Sequence, residues 1–500
     1  MNGYSCGLVK GRMMFAFLTL ALSMASALMF AQTPATLTQV SSDPFTIGPG
    51  QHATQVEPHV LASGSTLVAA FQTGRIAPGG STDIGWATST DGGSTWSHGF
   101  LPGLTKGEGS GPYDAVSDPA VAYDAKHGVW MISSLPISNT VQTPAVVVSR
   151  STDGGFTWDN PVKVDPTASS SDKNWIVCDS WASSPHYGNC YQEWDDPSTG
   201  DGILMSTSTD GGLTWSAAIG TANNSFGIGG QPLVQPNGTV VVPIETNAMS
   251  AFSSTNGGTS WSAPVRVASI QSHTDAGGIR SGPLPSAAVD GAGTVWVVWE
   301  DCRFRTGCST NDLVYSTSTD GTHWSAVKRI PIDATTTTVD HFIPGIGIDS
   351  ATSGATAHVG VHYYFYPKSA CSASTCQLLV GYISSPNGGS TWNHPVRLAG
   401  PMKLSWLPNS QNGLMVGDYI ATAFSNGVAH GVFAVAAVKS GATYNESMYT
   451  AQGLIVPTEG AVLSSRGDKP LHHLSDKIEK EHPEKGVIPP SRRAANRSAK

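Results

Sequence analysis

Acids, three bases and one phenol recur at one position of a repeated strand pattern. Glu57, Asp118, Asp172 with Lys173, Gln231, Arg280, Asp340 with His341, and Asp418 with Tyr419 each stand at or just before a short run of small, mostly apolar residues. Carboxyls gathered at one place can protonate a leaving group, activate water or attack a sugar carbon. Asp118 and Asp340 are the expected pair for that work. Glu57, Asp172, Lys173, Gln231, Arg280, His341 and Asp418 are expected to contact the substrate. The competing role is structural, because acids at strand ends also bond neighbouring strands.

The elements that would position these residues are readable as two offset repeats. The first is a set of inner-strand openings: Glu57-Pro58-His59-Val60, Asp118-Pro119-Ala120-Val121, Lys173-Asn174-Trp175-Ile176, Gln231-Pro232-Leu233-Val234, Pro285-Ser286-Ala287-Ala288, His341-Phe342-Ile343-Pro344 and Tyr419-Ile420-Ala421-Thr422. Small residues there would let strands crowd around a central axis. More aromatic or branched strands follow, such as Val129-Trp130-Met131-Ile132 and Val295-Trp296-Val297-Val298-Trp299.

The second repeat is Ser-x-Asp-Gly-Gly-x-Thr-Trp or a close variant, at 89–96, 151–158, 208–215, 254–261, 318–324 and 385–392. Its tryptophans recur about every 45 to 70 residues, the period of propeller blades. Asp-Gly-Gly makes a tight turn, the acid can bond backbone N–H groups of its own turn, and the Trp is an apolar anchor. Strand-like runs flank each copy, so the motif is a hairpin connector. Asn256 and Asn387 replace Asp in two copies, and the fifth copy is one residue short. Seven openings against six turns favour seven blades over six. Residues Thr36 to Thr46 would supply the last outer strand and close the ring.

Composition agrees with an exported all-β protein. There are 56 Gly and 14 Trp, charged residues make up 13%, and the net charge of −9 implies no nucleic-acid partner. Lys10 and Arg12 precede an apolar stretch ending near Ala31, with Ala25-Ser26-Ala27 as a cleavage site. Residues 1–31 are read as a signal peptide, long enough that retention as an anchor stays open. Residues 32–460 form the propeller. The charged, Pro-rich segment 461–500 is expected to be disordered, and its Arg466-Gly467-Asp468 is given no role. Cys6 would leave with the signal; proximity pairs Cys178 with Cys190, Cys302 with Cys308, and Cys371 with Cys376. A secreted or periplasmic monomer with no membrane span after cleavage is expected.

The six turns resemble the Asp box, or bacterial neuraminidase repeat, of the sialidase superfamily, over about residues 37 to 452. The resemblance implies a β-propeller, six-bladed in well-studied members, and glycoside hydrolysis of the exo-α-sialidase type. It also implies three arginines clamping a substrate carboxylate, a Tyr nucleophile paired with Glu, and an Asp as acid/base. Tyr419 matches the nucleophile, Gly74-Arg75 matches one family strand end, and Arg303 after Trp299-Glu300-Asp301-Cys302 matches a clamp arginine. Val56 stands where the family has its first Arg, and the nearest acid to the expected acid/base position is Asp83. Arg75 before Asp83 and Arg303 before Asp312 are also placed alike, which suggests an Arg–Asp bridge within each hairpin. Three readings follow: a sialidase-like hydrolase of another glycan or glycoconjugate, a non-catalytic glycan- or protein-binding propeller, or a hydrolase using two ordinary carboxyls. No cofactor is required; the acidic funnel could hold Ca²⁺, though no ligand spacing demands it.

Overall fold

The structure is a computed structural model that describes residues 35–138, 143–166, 170–458 and 462–463, with positions 1 and 3. Nearly all of the expected signal peptide, with Cys6, and nearly all of segment 461–500, including Arg466-Gly467-Asp468, lie outside the described residues. Contacts divide the chain into Met1–Thr33 and Pro34–Lys500, and everything below concerns the second unit. Among the described residues no helix is long and apolar enough to cross a membrane.

Each repeat folds as a four-stranded antiparallel meander. In unit one the strands are Gln51–Ser63, Thr66–Arg75, Ser81–Ser89 and Ser97–Phe100, hydrogen-bonded in chain order. The innermost strands of the next six units are Ala115–Asp124, Asp172–Cys178, Leu233–Val234, Ser286–Val289, Asp340–Ile348 and Ala421–Ser425. Units one and two share a sheet only through the pairing of Ser81 with Val116. Each innermost strand packs on the next, and Ala421–Ser425 packs back on Gln51–Ser63, so the contacts run in a circle.

The excess of units over turns has a geometric cause. The repeated turn links the third and fourth strands of a unit, as Ser89 to Trp96 does in unit one. In unit seven the fourth strand is Leu37–Gln39, which pairs with Glu446–Ala451. That strand comes from the other end of the ring, so no turn connects it to its neighbour.

The turns also fasten units together. In the first, Asp91 accepts from Thr95 N at 2.9 Å and Thr95 Oγ1 at 2.7 Å, and Ser89 Oγ accepts from Gly93 N at 2.9 Å. The bonds from Thr95 hold the Asp91 carboxyl down near 2, with no part in chemistry. The glycine carbonyls then accept bonds from the preceding unit. Thr88 donates to Gly154 at 2.6 Å, Arg150 to Gly211 at 2.7 Å, and Gln452 of unit seven to Gly93 of unit one at 2.9 Å.

The core lies in the seams between units. Trp158 of the second turn, 8% exposed, joins a cluster with Val68 and Ile84 of unit one and Ile132 and Val147 of unit two. Burying an indole removes ~200 Å² from water, or about 5 kcal/mol at ~25 cal/mol per Å². All three expected disulfides are present. Cys178–Cys190 joins directly paired residues of adjacent strands, and the other two close short loops at the same end as Glu57.

Candidate functional site

Three neighbouring units place one side chain each at the same backbone irregularity. At Glu57 (φ 55°), Asp118 (φ 50°) and Lys173 (φ 47°) the innermost strand bulges and the backbone turns left-handed. A bulge re-aims the side chain it carries, and a left-handed non-glycine residue costs on the order of 1 kcal/mol. Unit seven brings Asp418 and Tyr419 to the same place. Its Gly417 (φ 149°) must lack a side chain, since a Cβ would stand 2.9 Å from Glu57 Cα.

The resulting cluster is buried and ionic. Arg280 grips Asp418 through Nε, at 2.5 Å from Oδ1, and through Nη2. Lys173 Nζ bonds the same carboxylate and lies 4.0 Å from Glu57. Gln72 Nε2 donates to Glu57 and, at 3.2 Å, to Ser117 Oγ; Ser117 in turn donates to Asp118 at 2.5 Å. Burial and the nearby Asp118 push Glu57 up to about 7, against the pull of Lys173 and Arg280. Asp172, partly exposed at the rim, is raised to about 7 by desolvation and by Asp118. Glu57 is therefore a carboxyl that can carry a proton near neutrality beside a second carboxyl, the arrangement acid/base chemistry needs.

Tyr419 sits in this cluster without being activated. Its hydroxyl donates to the Pro119 carbonyl at 3.1 Å, and burial together with Glu57 and Asp118 holds the phenol well above its ordinary value. Its ring meets Trp175 edge-on, with centroids 5.1 Å apart, and Trp175 packs on His59 at 4.5 Å. Beyond this aromatic layer the seven innermost strands enclose an axial cavity of about 450 Å³. Glu57, Asp118, Lys173, Arg280 and Asp418 are not part of its lining.

The single ring of site residues expected from sequence divides into separate groups. In unit six the left-handed bulge falls on Ile343 (φ 49°), so Asp340 and His341 stand on the approach to it. Asp340 joins Asp275, Glu300, His273 and Asn311, and is not brought to Asp118. It accepts from Asn311 N at 2.6 Å and lies 3.6 Å from His273 Nε2. Burial raises Asp340 to about 6 and Glu300 to about 8. His341 is fully buried against Tyr363 and Phe365. Gln231 spends its carbonyl on Ala287 N of the next unit at 2.9 Å.

The arginine expectations are also corrected. Arg303 lies bidentate on Asp301, at 2.8 and 2.7 Å, and stacks over Trp299. The bridge to Asp312 is made instead by Arg305, at 2.8 and 2.5 Å. Arg75 donates to Gly80 O at 2.5 Å and to Gln411 at 3.0 Å. Among the described residues, Asp312, Asp333 and His341 bring three metal-ligand atoms within 4.8 Å of one another. Both acids are already shared by Arg305 and Arg329, so the local charge is balanced without a metal.

Sequence reasoning passed over Gln72, Ser117, Asp275, Glu300, Glu193 and Asp195. The available signal was polarity inside otherwise apolar second strands, as in Phe71-Gln72-Thr73 and Glu193-Trp194-Asp195.

No family model matches the chain. A curated relative from Bacteroides fragilis (strain YCH46), named Sialidase, is 33% identical over 111 residues, covering 19% of this chain and 20% of that protein. The match thus spans about a fifth of the relative's length. Among solved structures, a protein of unknown function from Dyadobacter fermentans DSM 18053 is similar at 16% identity and TM-score 0.44, covering 70% of this chain and 99% of that one. The Hadza microbial sialidase Hz136 gives 14% identity and TM-score 0.42, over 80% of this chain and 66% of that one. The Trypanosoma rangeli sialidase in complex with the inhibitor DANA gives 12% identity and TM-score 0.43, over 69% and 58%. The all-β propeller rests on the seven meanders among the described residues, their circle of contacts and the six turns.

Proposed function

We propose that the chain is an exported glycoside hydrolase of sialidase-like fold that acts on a neutral glycan, with Glu57 as proton donor and Asp118 as its partner carboxyl. One observation carries the choice of substrate. Three of the cations that could receive a sugar carboxylate are bound to internal acids, Arg280 and Lys173 to Asp418 and Arg303 to Asp301, and Arg75 is turned to Gly80 O and Gln411. An anionic sugar would have to displace a buried carboxylate, whereas a neutral one needs only hydroxyl contacts. The carboxyls of Glu57, Asp118 and Asp172 supply acceptors for those contacts and, when protonated, donors. The name of the Bacteroides fragilis relative supports a glycan substrate, and the three disulfides support an oxidising compartment.

A non-catalytic, glycan-binding propeller is the second reading. It is favoured by the burial of Glu57 and Asp118, which are 1% and 4% exposed. The test is a panel of neutral aryl glycosides and one aryl sialoside, offered to wild type, Glu57→Gln and Asp118→Asn. Turnover of a neutral glycoside that is lost in both variants supports the proposal. Turnover of the sialoside alone refutes the neutral substrate, and binding without turnover selects the second reading.

A further inference from the structure

The two acids assigned to the chemistry are shut off on both sides. Glu57 and Asp118 are buried, and neither lines the axial cavity beyond Trp175 and Tyr419. A sugar must arrive from the opposite end, where Asp172 is partly exposed. A short hairpin stands across that end. Its strands are Asn409–Ser410 and Gly413–Leu414, with Asn409 paired to Leu414 and Ser410 to Gly413.

The hairpin is fastened on two walls that flank the acids. On one wall Gln51 holds Asn409 through both atoms of its amide, at 2.8 and 2.9 Å, and Arg75 donates to Gln411 at 3.0 Å. Gln51 and Arg75 are paired outward of Glu57 on the first two strands of unit one. Arg75 also donates to Gln72, which donates to Glu57. On the other wall Arg280 N donates to Leu414 O at 2.7 Å, Ile279 bridges Leu414, and the Arg280 side chain grips Asp418. The span from Gln51 to Arg280 therefore runs over the acid cluster.

The base of this hairpin is fixed and its tip is loosely held. Leu407, Met415 and Val416 are buried, and Met415 N donates to Pro408 O at 3.1 Å. The tip, Asn409-Ser410-Gln411-Asn412-Gly413, carries no apolar side chain. Asn409 and Gln411 are exposed, and the Gln51–Asn409 bonds are open to water. Gly413 (φ 129°) and Gly417 (φ 149°) leave the returning strand free to turn in ways other residues resist. Two loops at the same end are closed by Cys302–Cys308 and Cys371–Cys376, whereas the hairpin holds no cysteine. Few buried apolar contacts and exposed hydrogen bonds mark a segment that opens locally at small cost.

We propose that the hairpin Asn409–Leu414 is a lid, which lets go of Gln51 and Arg75, swings on its buried base and admits the sugar to Glu57 and Asp118. Closed again, it keeps bulk water from the reacting acids. The lid rests on the reading of those two acids as the reacting groups, so its test is read without turnover.

A carbodiimide with a small amine tags carboxyls only where it can reach them. Tagging of Glu57 and Asp118 in the full chain is followed by peptide mass spectrometry, with exposed Asp159 as reference and buried Glu446 of unit seven as a monitor of global unfolding. Gln51→Cys combined with Asn409→Cys is either bridged by a short bis-methanethiosulfonate linker or capped on each thiol with methyl methanethiosulfonate. The bridged form should tag about tenfold more slowly than the capped form at Glu57 and Asp118, with Asp159 and Glu446 unchanged. Gln411→Ala, which releases Arg75, should tag about threefold faster than wild type. Equal tagging in bridged and capped forms would overturn the lid. If the double variant does not fold, Gln411→Ala decides alone, and a rate equal to wild type refutes the lid. Tagging controlled by the linker in a protein that turns over no glycoside keeps the lid and removes the catalytic assignment. Turnover that survives the linker keeps the assignment and removes the lid.

Discussion

Replacing Glu57 by Gln should change how stability depends on pH. Burial and Asp118 raise this carboxyl from 4.5 to about 7 in the folded chain. Between those values the folded chain keeps a proton that the unfolded chain releases. The group therefore contributes stability below about pH 4.5, and that contribution is lost as pH rises through about 7. At about 1.36 kcal/mol per pKa unit, the loss is on the order of 3 kcal/mol. In Glu57→Gln, Gln72 can still donate to the new amide oxygen, so the variant keeps the bond and loses only the titration. Urea unfolding of wild type and Glu57→Gln at pH 4.5, 6 and 8 would measure it. The variant should gain about 3 kcal/mol relative to wild type between the extremes. Parallel stability curves, within about 1 kcal/mol, would refute the view that Glu57 is a proton carrier at neutral pH.

Three further perturbations have definite outcomes. Asp418→Asn leaves Arg280 and Lys173 buried without their shared carboxylate, and should cost about 3–5 kcal/mol in urea unfolding. Trp158→Ala should cost about 3–5 kcal/mol through the emptied seam while leaving kcat unchanged, because the turns lie at the ends of the meanders opposite Glu57. Replacing Cys178 and Cys190 by Ser opens a link with sequence separation 12. That should cost about 3 kcal/mol in thermal or urea unfolding, and reductant should have no further effect at that pair.

The fold was legible because its signals are local and repeated. Each Asp-Gly-Gly turn closes on its own residues, so six short copies declare six hairpins without any long-range contact. The seventh unit was legible only by counting strands, since its closure depends on Leu37–Gln39 meeting Glu446–Ala451 across the whole chain. The site was half legible. Glu57, Asp118, Lys173 and Asp418 occupy equivalent openings and do converge. Asp340 fails because the bulge in unit six lies three residues later, at Ile343, and a shift in register moves a side chain to other neighbours. Arg303 and Arg305 are two apart, and only folding decides which reaches Asp312 and which turns back to Asp301. The absence of a clamp arginine at Val56 was visible in sequence. That Arg280 is spent on Asp418 was not, because the two are 138 residues apart.

The most direct test compares kcat/KM for Glu57→Gln, Asp118→Asn and Tyr419→Phe on whichever neutral glycoside the wild type hydrolyses. Loss of an acid/base carboxyl typically costs about 10²–10⁴-fold, so the first two variants should fall by at least ~10²-fold while Tyr419→Phe stays within about threefold. Loss of turnover in Tyr419→Phe, with Glu57→Gln and Asp118→Asn spared, would contradict the assignment and return the phenol to the role of nucleophile.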